Sequence, residues 1–210
     1  MKKIGNSSAF MRYSILLWAI IFALFASSCN SSFTPKPTGY FNIPFPVKKY
    51  QLFNQPGYPY TFEYPVYGTI TKDSTYFEQA TENPWWININ FPAFSGKIHI
   101  TYQNIDANHV FDTLKNQSFM LTSKHTSKAY SINDSLISTA NQIHGVFFTI
   151  GGDVATANQF FLTDSTKHFL RGALYFDAAP NADSLNIVNQ FLIEDVKHLI
   201  NSFKWRNNRP

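Results

Sequence analysis

Asp164, Ser165, Lys167, His168 and Arg171 form the densest run of reactive side chains in the sequence. Together they would supply a nucleophile, a base and a cation for an oxyanion or a phosphate. Neighbours along a chain need not converge in space, and an Asp-Ser pair at a bend more simply accepts backbone N–H groups and fixes the turn. No Gly-x-Ser-x-Gly elbow, His-Glu-x-x-His pair or phosphate loop accompanies the run. The expectation is therefore a non-enzyme with no catalytic residue. Two readings of the loop stay open: a surface on which a partner protein docks through Asp164, Ser165, Lys167, His168 and Arg171, or a solvated turn that keeps a sheet edge soluble.

Six histidines, at positions 99, 109, 125, 144, 168 and 198, have none of the i+2 or i+4 spacings typical of a metal site on a strand or helix. No metal and no cofactor are expected. Tyr58, Tyr60, Tyr64, Tyr67, Trp85 and Trp86 are placed either to line a groove for sugar or peptide or to form cross-strand pairs in a core. The core reading is preferred. An envelope hydrolase or carbohydrate-binding protein is the alternative function, and it requires an open pocket in which these aromatics meet the 164–171 cluster.

The N-terminus carries a different chemistry. Lys2, Lys3 and Arg12 precede an apolar run from Ile15 to Ala26, and Ala26, Ser27 and Ser28 lead into Cys29, the single cysteine. The run is shorter than the roughly 20 residues that span a bilayer and has the layout of a cleaved export signal. Residues 1–28 are read as a lipoprotein signal peptide that is removed, leaving Cys29 as the acylated N-terminus. Residues 29–46, rich in Pro and Ser, follow as a tether, and 47–206 as the globular domain. Loss of Lys2, Lys3 and Arg12 lowers the net charge from +4 to +1, so the basic isoelectric point near 9.1 does not indicate nucleic acid. Asn30, Ser31 and Ser32 lack an acidic run for surface export, which favours a periplasm-facing domain anchored to the membrane.

The polar residues must be positioned by the elements around them. The sequence predicts strands over Tyr60–Ile70, Trp85–Phe91, Lys97–Tyr102, Leu136–Thr139, His144–Ile150, Ala157–Thr163 and Phe169–Phe176. Turns are expected at Gly151-Gly152-Asp153 and Asp164-Ser165. Trp86, Asn88 and Asn90 alternate with Ile87, Ile89 and Phe91, and His99 and Thr101 with Ile98 and Ile100. A helix is predicted from about Asn108 to Lys124, with Val110, Phe111, Leu114 and Leu121 on one side. A second runs through Leu185, Val188, Leu192, Val196, Leu199 and Phe203, capped by Asp183 or Ser184, with Asn, Glu, Asp and Lys on its polar side. These elements make a single α+β domain, a mainly antiparallel sheet packed with helices.

Thr34–Phe41 (TPKPTGYF), Phe62–Tyr67 (FEYPVY), Lys124-His125-Thr126 with Lys128-Ala129, and above all Gln159–Phe176 (QFFLTDSTKHFLRGALYF) resemble the gliding motility lipoprotein family GldD. Pro180–Leu185 and Phe203–Trp205 are similar as well. The resemblance implies a cell-envelope lipoprotein needed for surface gliding, associated with other envelope proteins of the motility and type IX secretion machinery. It transfers Cys29 alone as a functional position. Relatives tend to carry cysteines at the positions of Tyr58 and Trp85; if those cysteines pair, the resemblance implies that Tyr58 and Trp85 sit side by side here, an aromatic contact in place of a cross-link. The layout also resembles the PsbP-like sandwich in architecture.

Overall fold

The computed structural model describes residues 12–13, 17–18, 43–73, 75–76, 79–80, 83–107 and 109–206. The chain divides into two units, Met1–Phe41 and Asn42–Pro210. In the first, Arg12-Tyr13 and Leu17-Trp18 are helical and exposed. The cleavage site, Cys29 and tether residues 30–42 lie outside the described residues. No described helix is long and apolar enough to cross a membrane.

The second unit is built on an antiparallel sheet of seven strands. In chain order its strands are β3 (Thr69–Lys72), β6 (Ile87–Phe91), β7 (Gly96–Asn104), β8 (Ala129–Ser138), β9 (His144–Gly152), β10 (Asn158–Thr163) and β11 (His168–Phe176), with spatial order β3-β6-β7-β11-β10-β9-β8. β1 (Tyr50–Phe53), β2 (Tyr60–Pro65) and β12 (Lys204–Trp205) form a separate three-stranded sheet, and β4 (Thr75–Tyr76) pairs with β5 (Gln79–Ala80). Among the described residues of this unit the α-helices are α1 (Phe111–Ser123) and α2 (Ala182–Ser202). The α+β architecture is the one expected from the sequence.

Period-2 alternation gives the large sheet two unlike faces. Ile87, Ile89, Phe91, Ile98, Ile100 and Leu174 share a core with Val188, Leu192, Val196 and Leu199 of α2 and with Phe53, Tyr60 and Phe62 of the small sheet. A smaller cluster joins Leu114 of α1 to Val146, Phe148, Phe161 and Phe169. Ile43, before β1, already packs against the main core, and Phe45 stacks on Phe191 with ring centroids 4.4 Å apart. Gly172 faces Phe160 across the β10–β11 pair, where a Cβ would lie 2.2 Å from the ring.

Several elements depart from the sequence expectations, each for a local reason. The Tyr60–Ile70 strand is two strands in different sheets. Pro65 has no N–H to continue a ladder, and Gly68 N–H closes the turn on Pro65 O at 2.9 Å. β8 extends seven residues further toward the N-terminus than Leu136, and Tyr130 and Leu136 are exposed on it. Tyr130, Ile132 and Leu136 alternate with polar residues there, but Asp134 interrupts the row and all three side chains are exposed on this edge strand. α1 starts at Phe111, with Val110 as its cap and 52 % exposed, and turns Leu114, Ser118 and Thr122 to the interior. Ser118 and Thr122 tolerate burial because each hydroxyl donates to the carbonyl four residues earlier, at 3.1 and 3.0 Å. The cap of α2 is Asn181, whose Oδ1 accepts from Ser184 N–H at 2.9 Å, rather than Asp183 or Ser184.

Asp195 differs most from its sequence reading. It belongs to the buried stripe of α2, only 1 % exposed, and not to the polar side. Burying a carboxylate requires compensation, and Lys48 just before β1, Tyr50 at its start and Tyr67 just after β2 supply it. Lys48 Nζ lies 2.8 Å from Oδ1, Tyr50 OH donates to the same oxygen at 3.0 Å, and Tyr67 OH donates to Oδ2. Lys48 Nζ also donates to Phe191 O at 2.7 Å and sits 3.5 Å from the Phe191 ring centroid. Burial first, then the Asp195 charge, pushes the Tyr50 hydroxyl up to about 12.

Candidate functional site

The turn between β10 and β11 is organised by its own carboxylate. Asp164 Oδ1 accepts from the N–H groups of Thr166, Lys167 and His168 at 3.0, 2.8 and 2.9 Å. Ser165 takes a positive φ of 64°, and its N–H donates to Thr163 Oγ1 at 2.8 Å. Burial pushes the Asp164 carboxyl up, but the three backbone donors and nearby His168 outweigh it and hold the group below the usual carboxylate range.

Strand alternation then separates the rest of the cluster. Ser165, Thr166 and Lys167 are exposed at the tip. His168 stacks on Trp205 with centroids 4.9 Å apart, and its Nδ1 lies 2.6 Å from Tyr102 OH. Arg171, an odd number of residues further on, points to the opposite face and donates to Gln159 Oε1. The five residues therefore do not converge on one point. Among the described residues no group of three His, Cys, Asp or Glu side chains is placed to hold a metal ion.

Arg171 enters a cleft of about 430 Å³ between α1 and the open face of the sheet. Its floor comes from β7 and β11, where Thr101 pairs with Arg171, His99 with Ala173 and Gln103 with Phe169. Trp86 forms one wall, and Gln117, Lys124 and His125, from α1 and the 3₁₀ turn Lys124–Ser127, form another. These rows are the polar half of the alternation seen in the sequence at Trp86, Asn88, His99 and Thr101. Nothing in the periodicity says that Lys124 and His125 lie across from them. The helix position is set by Leu114 on Phe169 and by Phe119, whose ring meets Phe148 edge-on at 5.0 Å.

Burial lowers the His99 pKa, and although Asp73, with Oδ2 3.2 Å from Nδ1, raises it, Arg171 and Lys97 lower it further. His99 Nδ1 also lies 2.8 Å from Asn88 Oδ1. Burial and then Arg171 lower His125 as well. Both rings are thus held toward the neutral form beside a permanent cation.

The other aromatics serve packing. Tyr60 is fully buried and its OH donates to Trp85 O at 2.5 Å, while Tyr67 stacks on Phe191. Trp85 Nε1 donates to Gly57 O at 2.8 Å, one residue before Tyr58, so the two segments meet, while the Tyr58 ring packs edge-on to Phe53 and Tyr60. Tyr58 and Tyr64 line a separate shallow cleft of about 290 Å³ with Lys72. Of the six aromatics, Trp86 is the one that shares a cleft with Arg171.

Residues 30–205 match the family of the gliding motility lipoprotein GldD. The chain belongs to the GldD lipoprotein family. Membership makes it a cell-envelope lipoprotein of gliding motility. The solution structure of cyanobacterial PsbP (CyanoP) from Synechocystis sp. PCC 6803 is similar to the chain with a TM-score of 0.45 and 9% identity, over 77% of this chain and 95% of that one. A search of curated proteins finds no significant match.

Proposed function

We propose that this lipoprotein is held on an envelope membrane by an acylated Cys29 and serves the gliding and type IX secretion machinery as a non-enzymatic docking module, its folded domain facing the periplasm. The family match carries the reading. It begins at residue 30, directly after Cys29, and spans the whole folded unit as far as β12. One acyl chain binds a membrane only marginally, and the several chains of a lipoprotein N-terminus make the attachment stable.

The turn at Asp164 supports a docking role. Its backbone is held by three N–H bonds to one carboxylate oxygen, so Lys167 and Ser165 are displayed at little further cost in ordering. An acidic surface on another motility protein is the partner that suits this loop.

Complementation of a deletion strain tests the reading. Wild-type protein restores gliding and secretion, and Cys29→Ala leaves the chain uncleaved or released and restores neither. A deletion strain that glides and secretes normally, or a Cys29→Ala protein that fractionates as the wild type does, overturns it.

A further inference from the structure

We propose that β8 is a docking edge that takes up an extended strand from another protein, one carrying a lysine or arginine in the pattern apolar-polar-cation-polar-apolar. The proposal rests on the reading of the domain as a docking module and adds a surface separate from the Asp164 turn. β8 runs for 10 residues and ends the large sheet, whereas β3 at the opposite end has 4 and β1, an edge of the small sheet, also has 4. Among the described residues, the backbone of 131–138 is bonded to β9 and to nothing on its outer side. A long edge with a free row of N–H and C=O groups is the template to which a strand from another chain adds.

The side chains of β8 set the pattern. Leu136 pairs with Val146, Asp134 with Phe148 and Ile132 with Ile150, and paired residues point to the same face. Val146 and Phe148 pack with Leu114 of α1, so Ile132, Asp134 and Leu136 form the outermost row on that side of the sheet. Leu136 is 86% exposed. A carboxylate between two aliphatic side chains calls for a cation opposite Asp134 and apolar residues opposite Ile132 and Leu136. Ser131, Asn133 and Ser135 alternate with them on the other face, where polar residues suffice. The pattern is symmetric about Asp134 and reads the same for either strand direction.

A second copy of β8 fits poorly. Antiparallel pairing across a two-fold axis sets one residue opposite itself. Centred on Asp134 it opposes two carboxylates. Centred on Asn133 or Ser135 it sets each Asp134 against Ile132 or Leu136, with no cation. Centred on Ser131 it reaches Lys128, but only through the bulge between Ala129 and Ser131. An unlike strand with a central cation meets none of these penalties.

Titration calorimetry tests the proposal on the full chain, purified in a zwitterionic detergent, with the acetylated and amidated peptide Thr-Val-Thr-Lys-Thr-Val-Thr as probe. The peptide binds saturably and slows amide hydrogen exchange within residues 131–138. With Glu in place of Lys it binds about fivefold more weakly, and with its backbone nitrogens methylated it does not bind, because the ladder is lost. Asp134→Lys, at an exposed edge position, leaves the circular dichroism and melting curve as in the wild type and reverses the preference between the Lys and Glu peptides. Absence of saturable binding, unchanged exchange at 131–138, equal binding of the Lys and Glu peptides, or binding that survives methylation each overturns the proposal. A full-chain dimer in sedimentation that Leu136→Asp dissolves assigns β8 to a second copy and overturns it as well. Cys29 and the Asp164 turn take no part in this binding, so its failure leaves the complementation result for the anchored module unaffected.

Discussion

Lys48 Nζ lies 2.8 Å from Asp195 Oδ1, joining the segment just before β1 to the buried stripe of α2. The pair is asymmetric. The Asp195 side chain is fully enclosed, whereas that of Lys48 is 28% exposed. Removing the lysine strands a buried anion, with only the Tyr50 and Tyr67 hydroxyls left beside it. Removing the charge of the aspartate leaves an ammonium that can turn to water. Lys48→Ala is therefore expected to cost about 3 kcal/mol, and Asp195→Asn clearly less. Urea unfolding of the two variants checks the order; equal midpoints would refute the asymmetry, and midpoints equal to that of the wild type would show that the ion pair contributes little.

Gly172 and Phe160 make a tighter fit. A methyl at Gly172 would lie 2.2 Å from the Phe160 ring, both positions being interior strands with no room to move apart. Gly172→Ala is expected to destabilise by about 1–3 kcal/mol through overpacking. Phe160→Leu in the same chain recovers part of that loss. A double-mutant cycle with zero coupling between the two sites would refute this contact as the cause.

At the β10–β11 turn, Asp164→Ala removes the acceptor of three backbone N–H groups and is expected to cost about 1–3 kcal/mol. Asp164→Asn keeps an oxygen there and loses less. The native carboxyl is held below its ordinary value of 3.8, so its stabilisation is present above that pH and disappears as pH falls through the lower folded value. Acid unfolding followed for the wild type and the asparagine variant should show a steeper loss in the wild type.

His99, His125 and His168 all have lowered pKa values, with burial the largest cause in each. The folded state binds protons less readily than the unfolded chain at these positions, whose ordinary value is 6.5. Their contribution is therefore intact above about pH 6.5 and declines as pH falls from there through the folded values. Melting temperatures measured between pH 7.5 and 5 should drop, and the drop should shrink in His168→Gln. A flat profile would show that the three rings titrate alike in both states.

Much of the architecture is written into local periodicity. Ile87, Ile89 and Phe91 against Trp86, Asn88 and Asn90 specify a strand with one dry and one polar face, because side chains alternate wherever the backbone is extended. The α2 stripe is legible for the same reason at period 3.6. The divergence of His168 and Arg171 follows from parity only once β11 is seen to begin at His168, a residue that the predicted strand from Phe169 left in the turn.

What periodicity lacks is the identity of the partner across a gap. Asp195 sits within an apolar stripe, and only Lys48, Tyr50 and Tyr67, more than a hundred residues earlier in the chain, make its burial tolerable. Lys124 and His125 face the same cleft as Arg171 and His99 because α1 is seated by Leu114, Phe148 and Phe161, an arrangement of distant apolar surfaces. The sequence by itself determined most strands of the large sheet, the two helices and the dry face of strands such as Ile87–Phe91, all consequences of backbone geometry within a few residues, but not β1, the break at Pro65, the reach of β8 or the buried face of α1. Tertiary structure alone decided which charges are neutralised and which polar groups share a cleft, because those outcomes depend on long-range packing.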